Sequence, residues 1–137
     1  MPRKNKSPGA GIVLYKKING VNKVLVLLKD NGMFDIPKGH CDTMDFDNFS
    51  TAQRECFEET QIFVTKSDLL CDEYYVDSGM TIFCAVTKQE PVISTNPKTG
   101  KIEHVDFYWM NPESALKVLP DYLSNAVAWS LKHTVNT

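Results

Sequence analysis

The pattern of apolar and polar residues divides the first third of the chain into short strands. Residues 10–17 and 21–29 are rich in residues that favour strands, and the Asn19-Gly20 pair between them predicts the turn of a β-hairpin. Residues 33–36 form another short apolar run, which ends before a proline. The chain is therefore predicted to begin with β-structure.

The pattern becomes helical between residues 47 and 61. The apolar residues of this stretch share one side of the predicted helix: Phe49, Ala52, Cys56 and Phe57. Its glutamates share the other side: Glu55, Glu58 and Glu59. The stretch is therefore predicted to be an amphipathic helix with an apolar back and an anionic front that faces outward.

The second half of the chain alternates strands, a loop and helices. The predicted order is strand 70–77, strand 80–88, a long loop over 89–102, strand 103–110, a helix that begins at Pro112 and a final helix over 121–133. Many strands with few helices indicate an α/β sandwich built on a mixed sheet.

The composition is that of one ordinary globular domain. The chain has 137 residues, so a single domain over residues 1–137 is predicted, with residues 1–8 as a flexible tail. Of all residues, 42% are hydrophobic and 23% are charged. No apolar run is long enough to span a membrane and the N-terminus has no signal-peptide pattern, so a cytoplasmic protein without membrane contact is expected.

Charge and cysteine content exclude further classes. The net charge of −2 and the pI of about 5.9 argue against a stable complex with nucleic acid. The four cysteines include no C-x-x-C pair, which argues against a zinc or redox motif, and a disulfide framework is not expected. Cys56 and Cys84 lie in apolar patterns and are predicted to be core residues.

The anionic front of the central helix is the main functional signal. Glu55, Glu58 and Glu59 stand at positions i, i+3 and i+4, directly after Arg54. Like charges at this spacing repel one another, and no lysines are interleaved to offset them. A divalent metal bound to a phosphate substrate would supply the missing positive charge. The pattern therefore predicts chemistry on pyrophosphate-containing molecules with magnesium.

Two motifs carry a resemblance to a known family. Gly39, followed by R-E-C-x-E-E-x-x-I at 54–62, resembles the signature G-x5-E-x7-R-E-U-x-E-E-x-G-U of the Nudix hydrolases, in which U is apolar. The P-K-G-H stretch at 37–40 is similar to that of many members, including diadenosine polyphosphate hydrolases. The D-I-P-K-G and R-E-C-x-E-E-T stretches also resemble small bacteriophage members. The resemblance implies a MutT-like protein with a Nudix-type α/β/α sandwich around a mixed central sheet.

The chain departs from the family signature at several positions. The interval from Gly39 to Arg54 is one residue longer than in the signature, so the early glutamate has no unique counterpart, and Asp45 and Asp47 are both candidates. Gln61 stands where the family usually has the glycine at the end of the helix. Phe34 stands where many members carry tryptophan. None of these changes affects the charged residues of the helix.

The resemblance implies a role for each residue that matches the motif. The metal is Mg²⁺, for which Mn²⁺ can substitute, and its expected ligands are the carbonyl of Gly39 and the carboxylates of Glu55, Glu58 and Glu59. Arg54 is expected to position a glutamate rather than bind metal. The catalytic set is Arg54, Glu55, Glu58 and Glu103, and three of these, Glu55, Glu58 and Glu103, remain open as the proton acceptor. Lys38 and His40 are the candidates for binding substrate.

The leading functional hypothesis is Mg²⁺-dependent hydrolysis of a pyrophosphate bond in a nucleoside diphosphate linked to another group. Dinucleoside polyphosphates and ADP-ribose-like molecules are the expected small-molecule substrates. Two alternatives stay open: an RNA 5′ pyrophosphohydrolase of the decapping type, which the acidic pI disfavours, and a non-catalytic nucleotide-binding module. Family members often dimerise, so the resemblance leaves a homodimer open, while the sequence marks no interface.

Overall fold

The structure, a computed structural model, describes residues 6–93 and 99–134. Its sheet contains seven strands: β1 (Gly9–Ile18), β2 (Val21–Lys29), β3 (Phe34–Asp35), β4 (Lys38–His40), β5 (Tyr75–Asp77), β6 (Met80–Val86) and β7 (His104–Met110). The helices are α1 (Asn48–Thr60), α2 (Pro112–Val118) and α3 (Asp121–Ser130). Two short 3-10 turns span Lys66–Asp68 and Leu131–His133.

The sheet is mixed, and β1 lies at its centre. β1 runs parallel to β6, with Gly9 opposite Met80 and Tyr15 opposite Val86. It runs antiparallel to β2 and β4, while β2 runs antiparallel to β3 and β7. The predicted hairpin is therefore present as β1 and β2. The long parallel pairing of β1 with β6 joins segments that are far apart in the sequence, and the sequence pattern does not show it.

The P-K-G-H stretch forms β4 and packs closely against the start of β1. Gly11 pairs with Lys38, and Gly9 pairs with His40. A Cβ atom on Gly11 would lie 2.6 Å from the Cβ atom of Lys38, so only glycine leaves room for this approach. Since α1 also packs on β1 and β4, the stretch is brought against the front of the helix.

Alternate residues of the central strands serve two separate cores. Ile12 and Leu14 of β1 pack on the side of α1, whereas Val13 and Tyr15 pack on the side of α2 and α3. Because side chains alternate across a strand, an apolar strand with helices on both faces is required for this arrangement. The α/β/α sandwich with a mixed central sheet is therefore confirmed.

Two predicted features of local structure are wrong. Residues 70–77 were expected to form one strand, but only Tyr75–Asp77 forms a strand with β6, because residues 71–74 leave the sheet edge in a bend and make no ladder. Phe57 was expected on the apolar back of α1, yet 49% of its surface is exposed. It lies at the edge of the apolar stripe and contacts Phe63, at 6.4 Å between ring centroids.

The ends and the long loop fall partly outside the described residues. Of the predicted tail over 1–8, residues 1–5 lie outside, whereas Lys6 donates to the carbonyl of Asp42 at 3.2 Å and the Ser7 amide donates to Oδ1 of Asn48 at 2.9 Å. The middle of the predicted loop, residues 94–98, also lies outside. None of the helices in the described part of the chain is long and apolar enough to cross a membrane.

Candidate active site

Both ends of α1 are capped by hydrogen bonds. Asp47 is the N-cap, and its side chain accepts a hydrogen bond from the Ser50 amide at 2.8 Å. At the other end Gln61 adopts the left-handed conformation with φ of 61°, and its amide donates to the carbonyl of Phe57 at 2.8 Å. The helix therefore ends where a glycine would end it, with an ordinary residue in a strained backbone conformation.

Arg54 lies at the centre of a group of carboxylates. Its Nη1 atom donates to Oε2 of Glu55 at 2.9 Å and to Oε1 of Glu58 at 3.2 Å. Its Nη2 atom donates to the carbonyl of His40 at 2.9 Å. The rigid guanidinium thus sets the orientation of two helix glutamates and ties them to β4.

Asp45, and not Asp47, is the carboxylate that pairs with Arg54. Oδ1 and Oδ2 of Asp45 each accept from the guanidinium at 3.0 Å, from Nε and Nη2. Oδ2 also accepts from the Thr51 hydroxyl and the Asp42 amide, both at 2.8 Å. Burial alone would raise the pKa of Asp45, but these donors outweigh it and lower the pKa to about 2. The two aspartates that the sequence left open therefore have separate roles, because Asp47 caps the helix.

Gly39 lies directly against the carboxylate of Glu55. A Cβ atom at this position would come within 2.1 Å of Cδ of Glu55, a distance that no side chain allows. Burial is the main cause that raises the pKa of Glu55, the charge of Arg54 lowers it, and the neighbouring Glu58 adds to the rise. The absence of a side chain at residue 39 therefore lets the Glu55 carboxylate pack directly against the β4 backbone.

Glu59 is buried rather than outward-facing, which corrects the predicted orientation of the anionic front. Only 9% of its surface is exposed, because β4 covers it and the Lys38 amide donates to its Oε1 atom at 3.3 Å. Burial, Asp35 and Glu55 raise its pKa well above the ordinary value. A carboxylate held in this environment favours either a proton or a nearby cation.

Asp35 and His104 form a buried layer behind Glu59. Nε2 of His104 lies 3.0 Å from Oδ2 of Asp35, and Nδ1 of His104 lies 4.0 Å from Oε1 of Glu59. Nζ of Lys38 pairs with Oδ1 of Asp35 at 3.1 Å. Burial tends to raise the pKa of Asp35, but His104 and Lys38 together lower it. Lys38, a predicted substrate ligand, is therefore already paired with a carboxylate.

These side chains open into a cleft of about 540 Å³ between α1, β4 and the start of β7. The cleft is lined by seven acidic residues, Asp30, Asp35, Asp42, Glu55, Glu58, Glu59 and Glu103. Its lysines are Lys29, Lys38 and Lys101. With more carboxylates than ammonium groups among its described residues, the cleft repels an anionic substrate unless a cation is bound as well.

The residues present suit a divalent cation with hard oxygen ligands. Glu59, Glu103 and His104 each place one potential ligand atom within 4.8 Å of the others. Burial raises the pKa values of Glu55 and Glu59, so a bound cation would stabilise their charged forms. The close approach of Gly39 to Glu55 brings a backbone segment to the same point. The site can therefore bind a divalent metal.

The structure brings all of the predicted site residues to this one cleft or its rim. Lys38, Gly39, His40, Glu55, Glu58, Glu59 and Glu103 line it, and Arg54 lies behind the glutamates. Sequence reasoning missed the buried Asp35–His104 pair, although an aspartate inside an apolar run was a usable signal. It also missed Lys29 and Lys101, which the pairing of β2 with β7 brings to the cleft.

Comparison with known proteins identifies the family. The model of the NUDIX domain matches residues 6–129, so this chain belongs to the Nudix family and is a MutT-like hydrolase that acts on pyrophosphate bonds. No curated protein sequence matches the chain.

Solved structures of Nudix proteins share the fold at low sequence identity. The Ap4A hydrolase of C. elegans, in a binary complex, is 22% identical with a TM-score of 0.69, and the match covers 96% of this chain and 98% of that one. The NUDIX domain of NrtR from Shewanella oneidensis, complexed with ADP ribose, is 21% identical with a TM-score of 0.66, covering 93% and 88%. A NUDIX hydrolase from Listeria monocytogenes is 17% identical with a TM-score of 0.71, covering 98% and 97%.

Proposed function

We propose that this protein is a Mg²⁺-dependent hydrolase that cleaves the pyrophosphate bond of a nucleoside diphosphate linked to another group. The observation that carries the proposal is the meeting of Gly39, Glu55, Glu58 and Glu59 with Arg54 at one acidic cleft. Dinucleoside polyphosphates and ADP-ribose-like molecules are the favoured substrates. Support comes from two structural neighbours, an Ap4A hydrolase and a domain complexed with ADP ribose.

The proposed ligands of the metal are the carboxylates of Glu55, Glu58 and Glu59 and the carbonyl of Gly39. When bound there, Mg²⁺ would offset charge on the phosphate oxygens and lower the pKa of water. Arg54 holds Glu55 and Glu58 in place, at 2.9 and 3.2 Å, and is itself held by Asp45. This preorganisation lets the carboxylates stay together before substrate arrives.

The reaction joins the oxygen of water to phosphorus and breaks the bond from phosphorus to the bridging oxygen, which leaves on the second phosphate. We assign the role of proton acceptor to Glu103. Its carboxylate lies within 4.8 Å of the ligand atoms of Glu59 and His104 and is exposed to the cleft. Glu58, the main rival, already accepts a hydrogen bond from Arg54 at 3.2 Å and is itself a proposed metal ligand.

Lys29 and Lys101 are proposed to bind substrate phosphate. They line the cleft with Glu103, whereas Lys38 is paired with Asp35 at 3.1 Å. His40 stays a proposed substrate contact because it is exposed at the end of β4. A lysine that lacks a tight carboxylate partner attracts phosphate more strongly.

A nucleotide panel with product identification tests the proposal. Purified protein with Mg²⁺ or Mn²⁺ is incubated with dinucleoside polyphosphates, ADP-ribose, nucleoside triphosphates and capped RNA, and products are identified by chromatography and mass spectrometry. Mononucleotide products from the first two classes are expected. Turnover of capped RNA alone would favour the decapping alternative, and nucleotide binding without any product would favour the binding module.

A pair of matched variants links the activity to the site. Glu58→Gln is expected to lower kcat by roughly 1000-fold with an unchanged circular dichroism spectrum. Glu113→Gln, an exposed change in the first turn of α2, is expected to leave kcat unchanged. Unfolding of Glu58→Gln, or full activity in it, would contradict the assignment.

A further inference from the structure

A second group of metal-binding side chains lies on the α3 side of the sheet, away from the candidate active site. Sγ of Cys71, a carboxylate oxygen of Glu73 and a ring nitrogen of His133 lie within 4.8 Å of one another. Cys71 and Glu73 belong to the bend before β5, and His133 belongs to the 3-10 turn after α3. The fold therefore brings two ligands from one bend, Cys71 and Glu73, to the distant His133.

His133 has a buried nitrogen that the protein does not satisfy. Its Nε2 atom has almost no accessible surface and makes no hydrogen bond to any of the described residues. The same atom lies 3.5 Å from Oε1 of Glu73. Leaving a buried polar atom unpaired costs free energy, so a ligand bound to this nitrogen would stabilise the protein.

The imidazole ring is held in its orientation by aromatic neighbours. The ring of Trp129 contacts it edge to face, with 5.2 Å between centroids. Trp129 in turn stacks on Tyr75 of β5 at 5.9 Å. Because both neighbours belong to regular elements, the ring nitrogen is kept beside Glu73 and Cys71.

Cys71 is the thiol that can ligate in this group. Its Sγ atom lies 4.0 Å from Sγ of Cys84, which is fully buried in the core. Cys84 is not part of the group whose ligand atoms lie within 4.8 Å of one another, so Cys71 supplies its sulfur. Cys71 is only partly buried and faces Glu73.

We propose that Cys71, Glu73 and His133 form a Zn²⁺ site that is separate from the Mg²⁺ site. One sulfur, one nitrogen and one oxygen donor make a set that Zn²⁺ accepts and that Mg²⁺, which prefers oxygen alone, does not. A Zn²⁺ ion held by these three residues would take its fourth ligand from water. The thiolate and the carboxylate together balance the charge of the ion, and His133 Nε2 gains its missing partner. Binding joins the bend before β5 to the C-terminal turn.

Cobalt spectroscopy of the reduced protein tests the site. Co²⁺ is titrated into the protein in a large excess of Mg²⁺, which occupies the carboxylate cleft, with a non-chelating phosphine as reductant. One equivalent per chain is expected to produce a thiolate-to-metal charge-transfer band and the visible bands of tetrahedral Co²⁺. Added Zn²⁺ is expected to remove both. The absence of a charge-transfer band would overturn the proposal.

Variants identify the ligands. Cys71→Ser is expected to abolish the charge-transfer band, and His133→Asn is expected to weaken Co²⁺ binding by about 100-fold. Cys41→Ser removes a thiol elsewhere and should keep both bands, and Glu58→Gln should also keep them because the two sites are independent. A band that persists in Cys71→Ser, or disappears in Cys84→Ala with the fold intact, would overturn the assignment of ligands.

Thermal unfolding gives a second readout that depends neither on Co²⁺ absorption nor on enzymatic activity. Zn²⁺ at about a hundredfold excess over its dissociation constant is expected to raise the Tm of the wild-type protein by roughly 8 °C, still in excess Mg²⁺. The rise should be absent in His133→Asn. Equal rises in the two proteins would place the bound Zn²⁺ elsewhere and overturn the proposal.

Discussion

The two faces of α1 differ in almost every physical property. On the back, Phe49, Ala52 and Cys56 are buried in an apolar core. On the front, Glu55 and Glu59 are also largely buried, but they face other carboxylates around one guanidinium. The back gains stability from every contact. The front costs the protein stability, because burial and neighbouring carboxylates both raise the pKa values of its glutamates.

This difference shows that one face of a helix can stabilise the fold while the other face carries the candidate active site. Natural proteins accept unfavourable local arrangements mainly where function requires them. Arg54 holds the front together by pairing with its glutamates, and Asp45 holds Arg54 in place. We therefore expect substitutions on the back to change stability, and substitutions on the front to change activity.

The largest effect on stability is expected from the back of the helix. Phe49→Ala should lower the free energy of unfolding by about 3–5 kcal/mol, because Phe49 is 8% exposed and packs edge to face on Phe83 at 5.5 Å. Phe57→Ala is the matched control on the same helix, and its loss should stay below about 1 kcal/mol since Phe57 is 49% exposed. Urea unfolding measures both. Similar losses would show that the two phenylalanines do not lie on different faces.

Gly39→Ala should lower activity and leave stability almost unchanged. The new Cβ atom would displace the carboxylate of Glu55, 2.1 Å away, and a displacement of this size costs roughly 100-fold in kcat/KM. The side chain can swing aside, so the free energy of unfolding should change by less than about 1 kcal/mol. Kinetics and urea unfolding are measured together.

Gly20→Ala is the control for that prediction. Gly20 has open space but a φ of 79°, so the alanine should lower stability by about 1 kcal/mol and leave kcat/KM unchanged. A Gly39→Ala enzyme with normal activity would mean that the contact with Glu55 does not matter for catalysis.

Asp45→Asn should lower the free energy of unfolding by an amount that depends on pH. The folded pKa of Asp45, about 2, is below its usual value, so its contribution is present above pH 4 and is lost as the pH falls toward 2. The loss at neutral pH should be about 2 kcal/mol and should shrink on acidification. Asp47→Asn preserves a good N-cap and should cost almost nothing. A larger loss from Asp47→Asn would reverse the two roles.

The smallest effect is expected at the end of α1. Gln61 has a φ of 61°, a conformation that costs a residue with a side chain more than it costs glycine. Gln61→Gly should therefore raise the free energy of unfolding by about 0.5 kcal/mol, the strain relieved being partly offset by the greater entropy of glycine in the unfolded chain. Thermal and urea unfolding measure it, and a destabilised variant would show that the Gln61 conformation carries no strain.

Much of the fold followed from local patterns. The hairpin of β1 and β2 and the bounds of α1 were predicted from alternation, a turn pair and helical periodicity, which depend on nearby residues only. The strand over residues 70–77 was wrong for most of its length, because pairing with β6 and not composition decides where a strand exists. Phe57 was wrong because its position at the edge of the stripe left its burial to the neighbouring elements.

The candidate site shows the same division. The identity of its glutamates, Arg54 and Gly39 was available from the sequence as a spacing pattern. The partner of Arg54 was not, because the extra residue in the loop made Asp45 and Asp47 equivalent until the chain folded. Asp35 and His104 meet only through the pairing of β2 with β3 and β7.

The sequence by itself determined the family, the anionic helix and the two motifs that meet in the cleft, since each rests on the chemistry and spacing of neighbouring residues. The tertiary structure alone decided which carboxylate Arg54 binds, that Glu59 is buried and that Cys71 approaches His133. These are distances and burials between distant segments, and they depend on how all strands and helices pack at once. A linear pattern carries no information about a buried atom without a partner until the elements around it are placed.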